Sequence, residues 1–109
     1  MSFLTEVSMT PLGKDESVST YVSKVVDVID KSKLPYVITP MGTIIEGETW
    51  DEVMNVFKRG FEQMQKECTR ISILMKIDYR KGKSERMKTK IKSLEEKLDK
   101  DLLKDNNIK

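Results

Sequence analysis

The chain has 109 residues, enough for one domain around a single hydrophobic core. It contains no histidine and one cysteine, Cys68, which excludes Ser-His and Cys-His nucleophile pairs and an internal disulfide framework, and leaves zinc without its commonest ligand. The net charge is +2, and no run approaches the roughly 20 apolar residues of a membrane helix, so no membrane partner is expected. The start lacks the basic segment of a signal peptide, and a lone thiol fits a reducing compartment, so the cytoplasm is the expected location.

The first half of the chain predicts a strand, a helix and a hairpin. Residues 3–10 alternate with a period of two, which is typical of a strand with one apolar face. From about residue 17 to 32, apolar residues recur at spacings of three and four, which indicates a helix. Residues 36–39 and 42–47 then predict two short strands. Because Pro40 cannot donate a ladder hydrogen bond, the strand before it is expected at an edge of the sheet.

The second half predicts a helix, a strand and a further helix. Thr49 and Glu52 have the spacing of a capping box, which marks a helix start. Its apolar face is formed by Trp50, Val53, Met54, Phe57, Phe61 and Met64. Residues 70–79 alternate as a strand. A third helix, predicted from about Ser84, carries a narrow stripe closer to a coiled-coil seam than to a core face. The stripe consists of Met87, Ile91, Leu94 and Leu98.

This order of elements predicts an α+β fold of the ferredoxin-like βαββαβ type. Two split βαβ units give a four-stranded antiparallel sheet with two helices on one face, to which the C-terminal helix is added. Residues 1–104 are predicted to form this single domain, and residues 105–109 a frayed tail. The other face of the sheet is left to solvent, a ligand or another subunit.

Polar side chains on the predicted strands are the main anomaly of the sequence. Glu6 and Ser8 on the first strand, Thr39 at the end of the second, and Thr43 with Glu46 on the third are expected to gather on one side of the sheet. A carboxylate in mid-strand is unfavourable for a sheet. Two interpretations remain open: a sheet face that is simply solvated, or a pocket for a small polar or cationic molecule closed by a second subunit.

The basic C-terminal region raises the question of nucleic-acid binding. Residues 80–109 carry 11 Lys or Arg against 6 Asp or Glu, but the two signs are interleaved. Ferredoxin-like RNA binders stack bases on aromatic side chains of the two central strands, and here those strands hold only Phe3. A solvated helix face is therefore favoured, and no nucleic-acid partner is expected.

Sequence motifs for catalysis are missing. Residues 11–14 include a lysine without the glycine spacing of a phosphate loop. Asp51 and Glu52 are explained by the positive end of the helix on which they lie. An enzyme with Glu6 or Glu46 as its base is a third alternative, and no cofactor or metal is expected.

Two segments closely resemble a known family. They are Val-Ser-Met-Thr-Pro-Leu-Gly at residues 7–13 and Tyr-Val-Ile-Thr-Pro-Met-Gly-Thr-Ile-Ile-Glu-Gly at residues 36–47. The family consists of small cytoplasmic proteins described as thiamine-binding, and the resemblance extends over nearly the whole chain. It implies a ferredoxin-like fold, assembly into homodimers or tetramers, and binding of thiamine or its hydroxymethylpyrimidine moiety near subunit contacts, with no known catalysis.

Carried over position by position, the resemblance assigns ligand binding to Ser8, Thr39, Met41, Thr43 and Glu46. The hydroxyls suit the edge of a pyrimidine, the thioether suits an apolar ring face, and the carboxylate suits a cation or an amino group. The sequence therefore predicts a non-catalytic protein that binds thiamine or its hydroxymethylpyrimidine moiety. The alternative is a structural or regulatory homo-oligomeric interaction protein without a small-molecule ligand.

Overall fold

The computed structural model describes residues 1–13 and 18–102. Its elements, in chain order, are β1 (Ser2–Pro11), α1 (Val18–Lys31), β2 (Tyr36–Thr39), β3 (Gly42–Gly47), α2 (Trp50–Gln65), β4 (Ile71–Arg80) and α3 (Arg86–Leu98). The predicted start of α1 near residue 17 and the predicted tail at 105–109 lie outside the described residues. The predicted α+β order of elements is confirmed.

The four strands form one antiparallel sheet in the order β2-β3-β1-β4. β1 pairs with β4 along all ten of its residues, but with β3 only between Phe3 and Val7. β2 lies at an edge of the sheet, as predicted from Pro40, because a proline nitrogen has no hydrogen to donate to a ladder. The remaining stretch of β1 therefore has a free side next to the turn between β2 and β3.

The hydrophobic core lies between one face of the sheet and helices α1 and α2. Alternate residues of a strand face opposite sides, and on β1 the side that carries Thr5 and Val7 is the buried one. The core consists of Val7, Met9, Val25, Ile29, Ile45, Val53, Val56, Phe57, Met64 and Cys68. Burial of this apolar surface is the main source of stability, at roughly 25 cal/mol per Å².

Helix α2 begins as its sequence predicts. The Thr49 hydroxyl accepts a hydrogen bond from the N–H of Glu52 at 3.1 Å, which satisfies one of the free donors of the first turn. The prediction that Trp50 lies on the core face is only partly correct. As the first residue of α2, Trp50 reaches the rim of the core, where it is 52% exposed and contacts the ring of Phe3 edge-on at 6.2 Å.

Strand β4 forms the second edge of the sheet and is far more exposed than the other strands. Helices α1 and α2 pack over β1 and β3, so the apolar side of β4 is only partly covered. Ile73 is 44% exposed on that side, and Leu74 is 76% exposed on the other. Within residues 1–13 and 18–102, no helix is long and apolar enough to cross a membrane.

Candidate functional site

A shallow cleft lies where β1 extends beyond the start of β3, and we call it the turn cleft. Its walls are the end of β1, one side of α1 and the turn that joins β2 to β3, and its volume is about 200 Å³. Four of the five predicted ligand residues line this cleft: Ser8, Thr39, Met41 and Thr43. The structure therefore brings four of the five residues to one cleft, from three strands and a turn. The prediction that Ser8 and Thr43 share one side of the sheet is wrong, because Thr43 is opposite Val7 and Ser8 is the next residue along β1.

Thr39 holds the turn in its conformation. Its hydroxyl accepts hydrogen bonds from the N–H groups of Met41 at 3.2 Å and Gly42 at 3.1 Å, and it donates to the carbonyl oxygen of Gly42 at 2.9 Å. A threonine that bonds the backbone two and three residues further on is a common turn-forming device. With its hydroxyl in use, Thr39 positions the turn cleft rather than offering a free polar group to a ligand.

Ser8 and Thr43 differ from Thr39 because their hydroxyls have no hydrogen-bond partner in the described part of the chain. Thr43 is only 8% exposed, and Ser8 is half-buried. Among the described residues only the Thr5 hydroxyl is both fully buried and unpaired, so the Ser8 and Thr43 hydroxyls are open to solvent and available to a ligand in the cleft. Met41, at the tip of the turn, is 84% exposed and presents its thioether at the rim.

Gly42 lets the turn approach β1 closely. A Cβ atom at this position would lie 2.8 Å from the carbonyl oxygen of Val7, which is closer than real Cβ contacts allow. Because the neighbouring atom belongs to the backbone, it cannot swing aside. The glycine therefore sets the position of Met41 and Thr43 relative to β1.

Glu46, the fifth predicted ligand residue, lies elsewhere. It is opposite Leu4 in the sheet register, whereas Thr43 is opposite Val7, so the two side chains project from opposite faces. The prediction that Thr43 and Glu46 share one side of the sheet is wrong, because residues three apart on a strand must point in opposite directions. Glu46 is 6% exposed and faces the start of α3.

The Glu46 carboxylate caps helix α3 from the neighbouring strand. Its Oε2 accepts from the backbone N–H of Arg86 at 2.8 Å and from the Ser2 hydroxyl at 2.7 Å, and its Oε1 accepts from the N–H of Met87 at 3.1 Å. The residue at the N-cap position, Glu85, has a left-handed backbone and makes no side-chain cap bond. A carboxylate at a helix N-terminus also interacts favourably with the helix dipole.

Arg86 connects this cap to β4. Its guanidinium, 5% exposed, pairs with the Asp78 carboxylate at 3.0 Å, and its Nε donates to the Ser2 hydroxyl at 3.0 Å. Further hydrogen bonds run from Arg86 to the carbonyl oxygens of Ser2 and Asp78, and Lys90 pairs with Asp78 at 2.7 Å. We call Ser2, Glu46, Asp78, Arg86 and Lys90 the α3 anchor.

The α3 anchor keeps both of its carboxylates ionised. Burial raises the pKa of Glu46, but the hydrogen bonds from Arg86, Ser2 and Met87 outweigh burial and leave this pKa below its usual value. Hydrogen bonds from Lys90 and Arg86 lower the pKa of Asp78 to about 2. Negative charge on Glu46 is thus stabilised by groups of the protein itself, without a ligand.

A larger cleft of about 430 Å³ lies beside the α3 anchor. Apolar residues, including Leu34, Pro35 and Met87, form one part of its wall, and glutamates that include Glu46 and Glu52 form another. A ligand of Glu46 in this cleft would share the carboxylate with the three donors of the protein. Within the described ranges, no group of three or more Cys, Asp or Glu residues is arranged to hold a metal ion.

Sequence reasoning did not find Ser2, Asp78 and Arg86. Ser2 and Arg86 are 84 positions apart and meet only because β1, β4 and α3 converge at one end of the sheet. One local feature pointed to this contact. Arg86 lies in the first turn of a helix that has no side-chain cap, where a basic residue is unfavourable by itself. The structure also starts α3 at Arg86, two residues after the predicted start at Ser84.

Comparison with known proteins gives the family. The sequence profile of thiamine-binding proteins matches residues 5–95. The UPF0045 protein Mb1933 of Mycobacterium bovis is 39% identical over 95 residues, which cover 87% of this chain and 93% of the relative. The chain therefore belongs to the thiamine-binding protein family.

Solved structures agree with this assignment. The crystal structure of the hypothetical protein MJ1052 from Methanocaldococcus jannaschii matches with a TM-score of 0.78 and 37% identity, over 87% of this chain and 97% of that one. A Thermotoga maritima protein, assigned provisionally to thiamine biosynthesis or salvage, matches with a TM-score of 0.72 over 83% of this chain and 97% of that one. At 20% identity, the second match supports the fold alone.

Proposed function

We propose that the protein binds thiamine or its hydroxymethylpyrimidine moiety without transforming it, and that the ligand occupies the turn cleft. Family membership supports the ligand class. The observation that carries the proposal is the Thr43 hydroxyl, which has no partner among the described residues and lines the cleft beside an exposed methionine. Ser8 also lines the cleft, from the opposite face of the sheet.

The chemistry of the turn cleft suits an aminopyrimidine. Such a ring presents both donors and acceptors along its edge, and a hydroxyl can serve either because it donates one hydrogen and accepts at its lone pairs. The Met41 thioether offers a polarisable surface for the ring face. Thr39 and Gly42 keep these groups at a fixed distance from β1.

A second subunit completes the site in this proposal. Small-molecule sites usually have volumes of about 300–1,000 Å³ and bury most of their ligand, and the turn cleft alone is smaller and open. Ile38 and Met41, at its rim, are 44% and 84% exposed, so another chain could cover them together with the ligand. We therefore place the site near a contact of a cytoplasmic homo-oligomer, a location with which the unpaired Cys68 agrees.

Calorimetry with thiamine and hydroxymethylpyrimidine tests the proposal. Thr43→Val keeps the shape but removes the hydroxyl, and we expect it to weaken binding by about 1–2 kcal/mol because the ligand loses one hydrogen bond. Thr89→Val, an exposed threonine on α3, is the matched control and should bind as the wild type does. Absence of heat with both ligands, together with no ligand retained in native mass spectra, would contradict the proposal.

Glu46→Gln separates the turn cleft from the alternative position of the site. A ligand in the turn cleft does not touch Glu46, so its affinity should be unchanged by this substitution as long as the fold is intact. If Glu46→Gln abolishes binding while Thr43→Val does not, the ligand lies beside the α3 anchor instead. Mass spectra of the ligand after incubation should show it chemically unaltered, as a binding protein requires.

A homo-oligomeric interaction protein without a ligand is the second candidate function. It is favoured by the exposed edge of β4, which pairs with β1 along its whole length in regular register and leaves its other side open. Long regular edges of this kind are ready to pair with another chain. Sedimentation should show an assembly in either case, and only calorimetry distinguishes the two candidates.

Nucleic acid is not a partner in this proposal. The strand pair β1 and β3 carries a single aromatic residue, Phe3, and its ring is packed against Trp50 and Tyr79. We expect only weak electrostatic attraction, which fades steeply with salt. Fluorescence anisotropy with single-stranded RNA at physiological salt should show no binding, and nanomolar affinity would contradict this expectation.

A further inference from the structure

Helix α3 carries an apolar stripe that its own domain does not cover. Its first member, Met87, is half-buried, but Ile91, Leu94 and Leu98 are 37%, 53% and 55% exposed. The helix contacts the sheet through the start of β1 and is held there by the α3 anchor. Exposure of the stripe thus increases with distance from the anchored end. We propose that this stripe pairs antiparallel with α3 of a second copy of the chain.

The charge distribution of α3 supports a second copy in antiparallel orientation. Within α3, residues 86–92 carry four basic side chains and no acidic one, whereas residues 93–98 carry two acidic side chains and one basic side chain. This gradient opposes the helix dipole, which favours acidic residues at the N-terminus and basic residues at the C-terminus. An antiparallel α3 of a second copy places its acidic residues beside the basic half of the first. The dipoles of the two helices then also point in opposite directions, which is favourable. A parallel neighbour places like charges side by side.

The spacing of the stripe fixes the register of the pair. Spacings of four, three and four correspond to alternating d and a positions of a coiled-coil seam. In antiparallel packing, Ile91 lies opposite Leu94 of the second copy, and Met87 lies opposite Leu98 of the second copy. The twofold axis that relates the two copies repeats these two contacts, so the seam has four layers.

Charged residues that flank the seam agree with this register. Lys88 and Glu95 both follow a d position. Lys88 of each copy therefore lies near Glu95 of the second copy, and two opposite-charge pairs form. The Glu95 carboxylate also accepts from the N–H of Leu102 at 2.6 Å, which restrains its side chain. Lys90 approaches Lys97 of the second copy, an unfavourable pair that is weakened because Asp78 already holds Lys90.

The pairing is expected to be weak by itself. Two helices of 13 residues bury less than the about 1,200 Å² of a stable interface, so we expect micromolar affinity at best from this contact alone. It goes beyond ligand binding, because neither the turn cleft nor thiamine takes part in it. Its test is therefore independent of calorimetry with the ligand.

Disulfide trapping tests the orientation. Met87→Cys chains and Leu98→Cys chains are oxidised separately and as a mixture, and the native Cys68 gives little background because it is buried. We expect a covalent dimer in the mixture and almost none in either sample alone. A Lys92→Cys chain, with its thiol on the side away from the seam, supplies the collisional background. Efficient dimers of Leu98→Cys alone would show parallel pairing, and background levels throughout would show no pairing; either result overturns the proposal.

Charge reversal tests the register with a matched control. Lys88→Glu places like charges at both flanking pairs and should weaken self-association by about tenfold, as measured by sedimentation or by trapping yield. Lys92→Glu makes the same change in net charge away from the seam and should leave association unchanged. Adding Glu95→Lys to Lys88→Glu should restore association. Equal effects of Lys88→Glu and Lys92→Glu, with helicity unchanged by circular dichroism, would contradict the register.

Discussion

The two ends of β3 carry polar side chains in opposite states. Near the end of β3, Glu46 accepts three hydrogen bonds from groups of the protein. At its start, the Thr43 hydroxyl has no partner in the described part of the chain, although the residue is almost fully buried. Both residues belong to the same six-residue strand and to the same recognisable sequence run.

This difference shows how to separate structural from ligand-binding polar residues. A polar group that the fold satisfies contributes to stability, and removing it should destabilise the protein. A polar group that has no protein partner and lies open to solvent at a cleft contributes little to stability, and removing it should affect ligand binding instead. Glu46 therefore belongs to the first class, and Ser8 and Thr43 to the second.

The largest effect on stability is expected from Glu46→Ala. The substitution removes the cap of α3 and leaves the N–H groups of Arg86 and Met87 without an acceptor, at a cost of about 2–3 kcal/mol. Hydrogen exchange should show faster exchange across α3, with the sheet less affected. Glu48→Ala, an exposed neighbour, is the control. Unchanged exchange in α3 would remove Glu46 from the structural class.

Gly42→Ala should have the next largest effect, at the other end of β3. The added methyl group meets the Val7 carbonyl oxygen, and overpacking against backbone costs about 1–3 kcal/mol. The turn should shift away from β1, so ligand affinity should fall together with the free energy of unfolding. Met41→Ala, in the same turn but with a side chain that is 84% exposed, should lower affinity without lowering stability. If Gly42→Ala keeps both quantities unchanged, the turn is not as rigid as its contacts indicate.

Acid should loosen the α3 anchor before it affects the turn cleft. The folded-state pKa values of Asp78 and Glu46 are both depressed, so their contribution to stability is present above the unfolded values of about 4 and is lost as pH falls toward 2. Far-ultraviolet circular dichroism should show partial loss of helix in this range. The Asp78→Asn protein should lose helix less steeply as pH falls, because its α3 anchor is already weaker at neutral pH. Identical acid profiles for the two proteins would contradict the assignment.

The smallest effect, a gain in stability, is expected from Thr5→Val. Thr5 lies in the core with a buried hydroxyl that has no partner among the described residues, and it lines neither the turn cleft nor the larger cleft. Replacing this hydroxyl by a methyl group should raise the free energy of unfolding by about 1 kcal/mol and leave ligand binding unchanged. Thr10→Val, on the exposed side of β1, should change stability by less than about 0.5 kcal/mol. A loss of stability in Thr5→Val would show that the hydroxyl is satisfied after all.

Local patterns predicted most of the fold. Alternation gave the strands, spacings of three and four gave the helices, Pro40 placed β2 at an edge, and Thr49 with Glu52 marked the start of α2. Each of these features depends on residues close together in the chain. The family resemblance then brought together Ser8, Thr39, Met41 and Thr43, which the fold places around one cleft.

Glu46 illustrates two different limits of prediction from the sequence. Its separation from Thr43 was available from the sequence, because an odd spacing on a strand always reverses the side. Its partners were not available from the sequence, since Ser2 and Arg86 lie 44 and 40 positions away from it along the chain. A cap supplied by a distant strand leaves no local pattern at the helix it serves.

Capping from a distance also determines when α3 can form. Glu46 lies 40 positions before Arg86 and receives its bonds only where β1, β3 and β4 are already side by side. Helices this short are marginal alone, so α3 should wait for the sheet during folding and be the first element to open when the folded protein fluctuates. A nascent chain on the ribosome would thus complete its sheet before α3 could form and pack against it.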